Sequence, residues 1–406
     1  VPMPRLRAFA VASAVLVPLA LFASPREPQA KSEAGSAGSG TKVVSKEAAL
    51  KKAAADAPRI DLALLLDTSN SMDGLINQAR AQLWKVVNDL ATAEKDGKSP
   101  ALRVALYEYG NQGLPSDGGY VRQVLPLTDD LDKVSEELFA LTTNGGDEYC
   151  GRVIEAATQG LEWSKNEEDL KLIVIAGNEP FTQGPVDYKK ACGEAIAKGI
   201  VVNTIFCGDR QEGVQTGWED GAKLADGTYS HINQDQQIAE IATPFDDELA
   251  RLSGNLNGTF VFFGLAPARE RLAANQAVQD SNAAGLGGAI AAERALTKGG
   301  AAYRFDADLV TLSLKDAKAL EEIKEEELPD ELKGKSDEER KAFLRAKAEE
   351  REAIQKQITE LAEKRKAYIA EERKKQAGAD KDRSLDEALL SALRTQAEKK
   401  DFSFKD

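Results

Sequence analysis

From Arg59 to Gly264 the chain alternates short apolar runs with amphipathic stretches, and no other feature of the sequence restricts its fold as strongly. IDLALLL (Ile60–Leu66), LRVALYEYG, LKLIVIAG and IVVNTIFCG have the length and composition of buried strands, and YVRQVLPLT and TYSHI are further strand candidates. Helix patterns separate them. In Leu75–Ala91, Leu75, Ala79, Leu83, Val86, Val87 and Leu90 share one face. DLDKVSEELFALT, CGRVIEAATQGLEWS, VDYKKACGEAIAKG and GWEDGAKLADG behave similarly, and QQIAEIATPFDDELARLSGNLN closes the region with helix. A strand that is apolar throughout needs cover on both faces, and strand–helix alternation supplies it through right-handed crossovers. The expected fold is α/β: a doubly wound, mainly parallel six-stranded sheet over residues 59–264, followed by an all-α region.

Residues 265–406 change character, with few aromatics and an abundance of Ala, Glu, Lys and Arg. Ser336 with Glu339, and Ser384 with Glu387, have the spacing of capping boxes. They bracket a long predicted helix, Asp337 to Gln376. Ile354, Ile358, Leu361 and Tyr368 form an apolar seam on it that Arg365 interrupts; Leu344 extends the seam, but Lys347 and Arg351 fall on it too. Two outcomes are open: a helical hairpin packed on its own neighbours, or a coiled coil for self-association or partner contact. No period of 20–50 residues recurs, so the segment is not a repeat array.

The other end of the chain reads as a targeting segment. Arg5 and Arg7 precede an apolar stretch, Ala8 to Ala23, broken by Pro18. Residues 1–24 are expected to be a signal peptide, cleaved near Ala23 or Ala30, with a retained anchor as the alternative. Residues 25–58, rich in Ser, Gly, Ala, Lys and Pro, read as a flexible linker with a short helix over Lys46–Ala55. The implied location is outside the cytoplasm: periplasmic, cell-surface or secreted. A formal net charge of −14 argues against nucleic acid as a partner, because phosphate binding needs clustered Lys and Arg. His231 is the only histidine, which excludes histidine-rich metal sites and routes any Ser-His or Cys-His chemistry through one residue expected to be structural.

The functional signal lies where the first strand ends. DLALLLDTSNSMDG passes from an apolar run into small oxygen-bearing side chains, and in open α/β sheets ligands bind beyond the carboxyl ends of strands. Asp67, Ser69 and Ser71 alternate, so their oxygens can converge on a hard cation such as Mg²⁺. The same residues also suit a helix N-cap.

LLLDTSNSM, with the strand before it and the amphipathic helix after it, resembles the opening of von Willebrand factor type A domains, whose metal-ion-dependent adhesion site begins Asp-x-Ser-x-Ser. The resemblance covers Arg59 to Gly264. TNGGDEYCGRVI, IAGNEPFTQG and VNTIFCG further resemble a group of secreted bacterial proteins of this class with a helical C-terminal half. The type A domain resemblance implies a metal, Mg²⁺ or else Mn²⁺ or Ca²⁺, held by Asp67, Ser69 and Ser71, and a partner protein that completes the shell with an acidic side chain. In TTNGGDEYCGRVIEAA, Asp147 stands where the family places a Thr ligand, and Glu148 follows; in LIVIAGNEPFTQG, Gly177 stands where it places an Asp, with Asn178 and Glu179 next. The candidate metal set is therefore Asp67, Ser69, Ser71, Asp147, Asn178 and Glu179, a carboxylate having moved from the third loop to the second. An acidic first helical turn for Asp147 and Glu148, and a plain turn before Pro180, are the alternatives. Cys150 and Cys207 fall at the same sheet edge as Asp67 and are the disulfide candidate, with Cys192–Cys207 or three buried thiols as alternatives.

The expected function is a non-catalytic, extracytoplasmic protein-binding module, with the C-terminal helices for assembly or partner contact. A structural envelope protein with a vestigial metal site is the alternative. A phosphoryl-transfer enzyme is disfavoured because Ser69 stands where such sites carry a second carboxylate.

Overall fold

The computed structural model describes residues 58–235, 240–315, 319–376 and 385–404. The expected signal segment or anchor, the linker up to residue 57 with its short helix, and the Ser384 cap lie outside these residues.

The alternating pattern folds in the expected order. Strands β1 (Arg59–Asp67), β3 (Ala101–Tyr109), β4 (Val121–Thr128), β5 (Leu170–Gly177), β6 (Val201–Cys207) and β7 (Tyr229–Ile232) form one six-stranded sheet, ordered β4-β3-β1-β5-β6-β7. Every neighbouring pair is parallel except β3 and β4. Those two are joined by residues 110–120, a connection without a crossover helix, which permits only the antiparallel arrangement. Helices α1 (Asp73–Ala91), α2 (Leu131–Ala140), α3 (Cys150–Gly160), α4 (Tyr188–Ala197), α5 (Arg210–Gln215) and α6 (Trp218–Leu224) lie between the strands.

Strand alternation splits the core into two layers. Ile60, Leu62, Leu64 and Leu66 of β1 join Leu75, Leu83 and Val87 of α1 and Val134 and Leu138 of α2. Ala63 and Leu65 face the other way, onto Val153, Ile154 and Ala157 of α3 and Ala191 and Ala195 of α4. Asp61 and Asp67 share that second face by register. Asp61 is buried with its charge met by Arg103 at 2.6 Å.

The remaining chain is helical: α7 (Asp246–Asn257), α8 (Ala266–Leu286), α9 (Gly288–Gly299), α10 (Leu309–Lys315), α11 (Asp337–Gln376) and α12 (Leu385–Glu398), with a final strand β8 (Ser403–Phe404). The first apolar layer runs across residue 264. Leu385, Ala388, Leu389 and Leu393 of α12 belong to the same buried cluster as β1 and α1, and β8 pairs antiparallel with a short β2 (Ala93–Glu94). The described residues belong to one compact unit.

The seam of α11 is covered from within. Ile354 and Ile358 pack against Leu249, Leu252 and Leu256 of α7 and Ala292 and Ala295 of α9, and Leu344 joins a second cluster with Leu309 and Val310. The arginines that looked like interruptions are ion-pair residues, Arg365 buried and Arg351 half-buried. Arg365 donates to Asp246 at 2.9 Å and Glu293 at 2.6 Å, and Arg351 donates to Asp308 at 2.7 Å. A heptad seam that meets helices of its own chain has no free face for a coiled coil there. Ser336 and Glu339 form the reciprocal capping box, with the Ser336 amide donating to Glu339 Oε2 at 2.8 Å. Among the described residues no helix is long and apolar enough to cross a membrane.

Candidate metal centre

β1 lies where the strand order reverses, with β3 on one side and β5 on the other, so the loops that follow it part and open a crevice at its carboxyl end. Asp67 is the last residue of β1 and is fully buried. Its Oδ1 accepts the Ser69 amide at 2.8 Å, which turns the chain sharply; its Oδ2 is buried without a hydrogen-bond partner. The Ser69 and Ser71 hydroxyls stand 3.3 Å apart. The Asn178 side-chain amide donates to Ser71 Oγ at 3.3 Å, and its Oδ1 is again buried and unpartnered.

The serines do not take the capping role. Neither the 3-10 turn Asn70–Met72 nor α1 receives a side-chain cap, so the hydroxyls point at each other and not at orphan amides. The second loop is tied to the first, with the Asn144 amide donating to the Thr68 carbonyl at 3.0 Å. Helix α3 begins only at Cys150 and has no acidic residue in its first turn, so Asp147 and Glu148 do not form an acidic first turn.

The structure separates those two acids. Asp147 is exposed and accepts from the Tyr149 hydroxyl at 3.2 Å. Glu148 is the one turned inward, only 7% exposed. A Cβ placed on Gly110 would lie 2.7 Å from Glu148 Cγ and 2.9 Å from Asp67 Oδ1, so both acids pack closely against this glycine. Gly110 has φ +80°, a conformation that favours glycine. Glu179 is half-buried, its carbonyl accepting from Trp218 Nε1 at 2.8 Å, and its charge acts on both Asp67 and Glu148. Gly177 has a steric reason for lacking a side chain: a Cβ there would strike the Tyr109 hydroxyl and come within 3.0 Å of Asp67 Oδ2. Tyr109 is buried and donates to the Ala176 carbonyl at 3.0 Å.

The electrostatics are those of acids without a counter-charge. Burial pushes the Asp67 carboxyl up to about 7, against the Ser69 hydrogen bonds and with help from the Glu179 charge. Burial also pushes Glu148 up to about 7, reinforced by Asp67 and Glu179 and opposed by the Ser69 hydroxyl. Among the described residues no three His, Cys, Asp or Glu side chains converge as a metal cluster on their own. The donor set is mixed: carboxylate, two hydroxyls and an amide oxygen. Hard oxygens of that kind, two of them buried without partners, fit a divalent cation.

The three cysteines are free, buried thiols. Cys150 and Cys192 lie in the layer under α3 and α4, and Cys207 lies in the layer on the opposite face, so the sheet stands between Cys207 and both expected partners. Burial raises all three thiols, Cys192 to about 12.

Two contributors escaped the sequence reading. Glu148 was legible as an acid beside Asp147, but which of two adjacent acids turns inward depends on the loop. Gln234, just after β7, donates to the Ser71 carbonyl at 2.7 Å and braces the first loop from a segment with no motif of its own.

A mainly parallel sheet with Asp67, Ser69 and Ser71 at its reversal point defines a class of α/β modules with a candidate cation site. More narrowly, residues 61–219 match the family model of the von Willebrand factor type A domain. No curated protein matches the chain. Among solved structures, the chain is similar to BatB from Bacteroides thetaiotaomicron, at 17% identity and a TM-score of 0.33 over 43% of this chain and 90% of that one. It is similar to the SpRpn10 VWA domain, at 16% identity and a TM-score of 0.34 over 44% of this chain and 90% of that one. It is also similar to proximal thread matrix protein 1 from the mussel byssus, with a zinc-occupied MIDAS motif, at 14% identity and a TM-score of 0.33 over 44% of this chain and 43% of that one.

Proposed function

We propose that this chain is an extracytoplasmic, non-catalytic protein-binding module that holds a divalent cation, Mg²⁺ in the first place, at the end of β1. Domains of this family commonly act in metal-dependent protein interaction. The observation that carries the reading is Asp67 Oδ2, a fully buried carboxylate oxygen without a partner, beside two facing hydroxyls and an equally unpartnered Asn178 Oδ1. Asp67, Ser69, Ser71 and Asn178 would hold the ion, which would supply a Lewis-acidic site for an acidic side chain of the partner. Holding an ion with these oxygens needs no general base, and His231 sits half-buried on β7, paired in register with Phe206. The helices α7 to α11 offer the outer surface for assembly or a second contact.

Titration calorimetry of the full chain with Mg²⁺ and with Mn²⁺ tests this. Binding heat is expected for the parent and is lost in Asp67→Ala and in Ser69→Ala combined with Ser71→Ala. No heat with either ion supports the other reading, an envelope scaffold whose site is vestigial.

A further inference from the structure

We propose that Glu148 is the chain's own ligand to this cation and occupies the position that a partner's carboxylate must take, so that partner and Glu148 compete. This rests on the metal reading above and goes beyond it in naming how the site is closed.

The other buried acids show how this fold treats such groups. Asp61 pairs with Arg103, Glu108 with Arg122, Asp132 with Arg294, Asp246 with Arg365 and Asp308 with Arg351. Asp169, the remaining one, accepts from the Arg59 amide and the Ser164 hydroxyl. Asp67 and Glu148 are the exceptions. Both pack closely against Gly110, and no Lys or Arg among the described residues forms an ion pair with either, or with Glu179. Arg122 is taken by Glu108, and Arg152, on the helix that Glu148 precedes, is taken by Glu155 at 2.7 Å. Two buried acids close to one glycine without a counter-charge are costly. A cation bound by both carboxylates removes that cost, and the unpartnered Asn178 Oδ1 is a further donor.

The Glu148 backbone is held while its side chain is turned inward: its amide donates to Gln183 Oε1 at 2.8 Å, and the residue is buried. Two carboxylates balance a divalent ion, and a metal so neutralised attracts a third carboxylate more weakly until one of the first two leaves. Asp67 is fixed at the end of a central strand; Glu148 lies on a loop and is the one that yields.

Mn²⁺ is the probe. Its affinity is read from the free-ion electron paramagnetic resonance signal, and its exchangeable water from proton relaxation, in the parent, Glu148→Ala and the near-isosteric Glu148→Gln. Urea midpoints in chelator confirm that each variant is folded. Glu148→Ala is expected to weaken Mn²⁺ roughly tenfold or more and to raise the relaxation enhancement of the bound ion, because water enters the vacated position. Acetate then lowers that enhancement in the variant and not in the parent. Unchanged affinity and unchanged relaxation in both folded variants overturn the role of Glu148 while leaving the metal site standing. A parent that binds no Mn²⁺ overturns both.

Discussion

Replacing Asp67 by asparagine separates what the site costs the fold from what it does. Asp67 is fully buried, and burial carries its carboxyl from 3.8 up to about 7. An acid raised in this way keeps its proton in the folded chain over a range where the unfolded chain has already lost it. Without metal, the stability of the folded chain is therefore undiminished by this group below about pH 4, declines as pH rises from there to about 7, and levels off above. The full decline is about 4 kcal/mol for one group moved that far. Asparagine cannot ionise, so its profile lacks this slope, and Glu148 flattens as well because the Asp67 charge is one cause of its own rise. The amide takes the place of an oxygen that is itself unpartnered, so this exchange adds an offset that does not vary with pH. The stability of the variant relative to the parent should thus rise by about 4 kcal/mol between about pH 4 and about pH 8. Urea unfolding followed by circular dichroism across this range, in chelator, measures it. Adding Mg²⁺ at pH 8 should restore the parent and leave the variant unmoved. Parallel profiles in chelator would refute the reasoning, because they would mean that the Asp67 charge is compensated in the metal-free fold.

Other consequences are independent of that one. Arg365→Leu leaves Asp246 and Glu293 buried without their cation and should cost about 3–5 kcal/mol in urea unfolding; a change below about 1 kcal/mol would show that these charges are solvated. Leu393 of α12 is fully buried in the layer under β1, so Leu393→Ala should cost about 2–5 kcal/mol, and a neutral result would remove α12 from that core. All three cysteines should resist a thiol reagent in the folded protein and all should react after unreduced unfolding; fewer reactive thiols would reveal a bridge. Gly177→Ala forces a side chain against Tyr109 and Asp67 and should abolish Mn²⁺ binding seen by calorimetry, whereas Gly193→Ala, on α4 with open space, should not.

Much of the site was visible in the order of residue types because it depends on chain-local facts. A strand end followed at once by Asp-Thr-Ser-Asn-Ser places Asp67, Ser69 and Ser71 together whatever surrounds them, and Asn178 follows another strand at the same sheet edge. Asp147 and Glu148 show where that logic stops. Adjacent residues in a loop have no fixed period, so the inward one is chosen by Gly110 and by the Gln183 contact, neither of which is near in sequence. The cysteines fail for a related reason: all three come from the same end of the domain, but strand alternation sends Cys207 to the face opposite Cys150. Arg351 and Arg365 looked like breaks in an apolar seam because a one-dimensional pattern does not show the acids, Asp308 and Asp246, that meet them.

Period and local order of residue types carry the six strands of the sheet, its helices and the loop after β1. Long-range packing settles the rest: α12 and β8, some 150 residues after β7, complete the layer against β1, α11 is covered by α7 and α9, and Glu148 and Asp67 both pack against Gly110. The reason is physical. Periodicity reports which face of an element must be buried, and it is silent on which distant surface buries it.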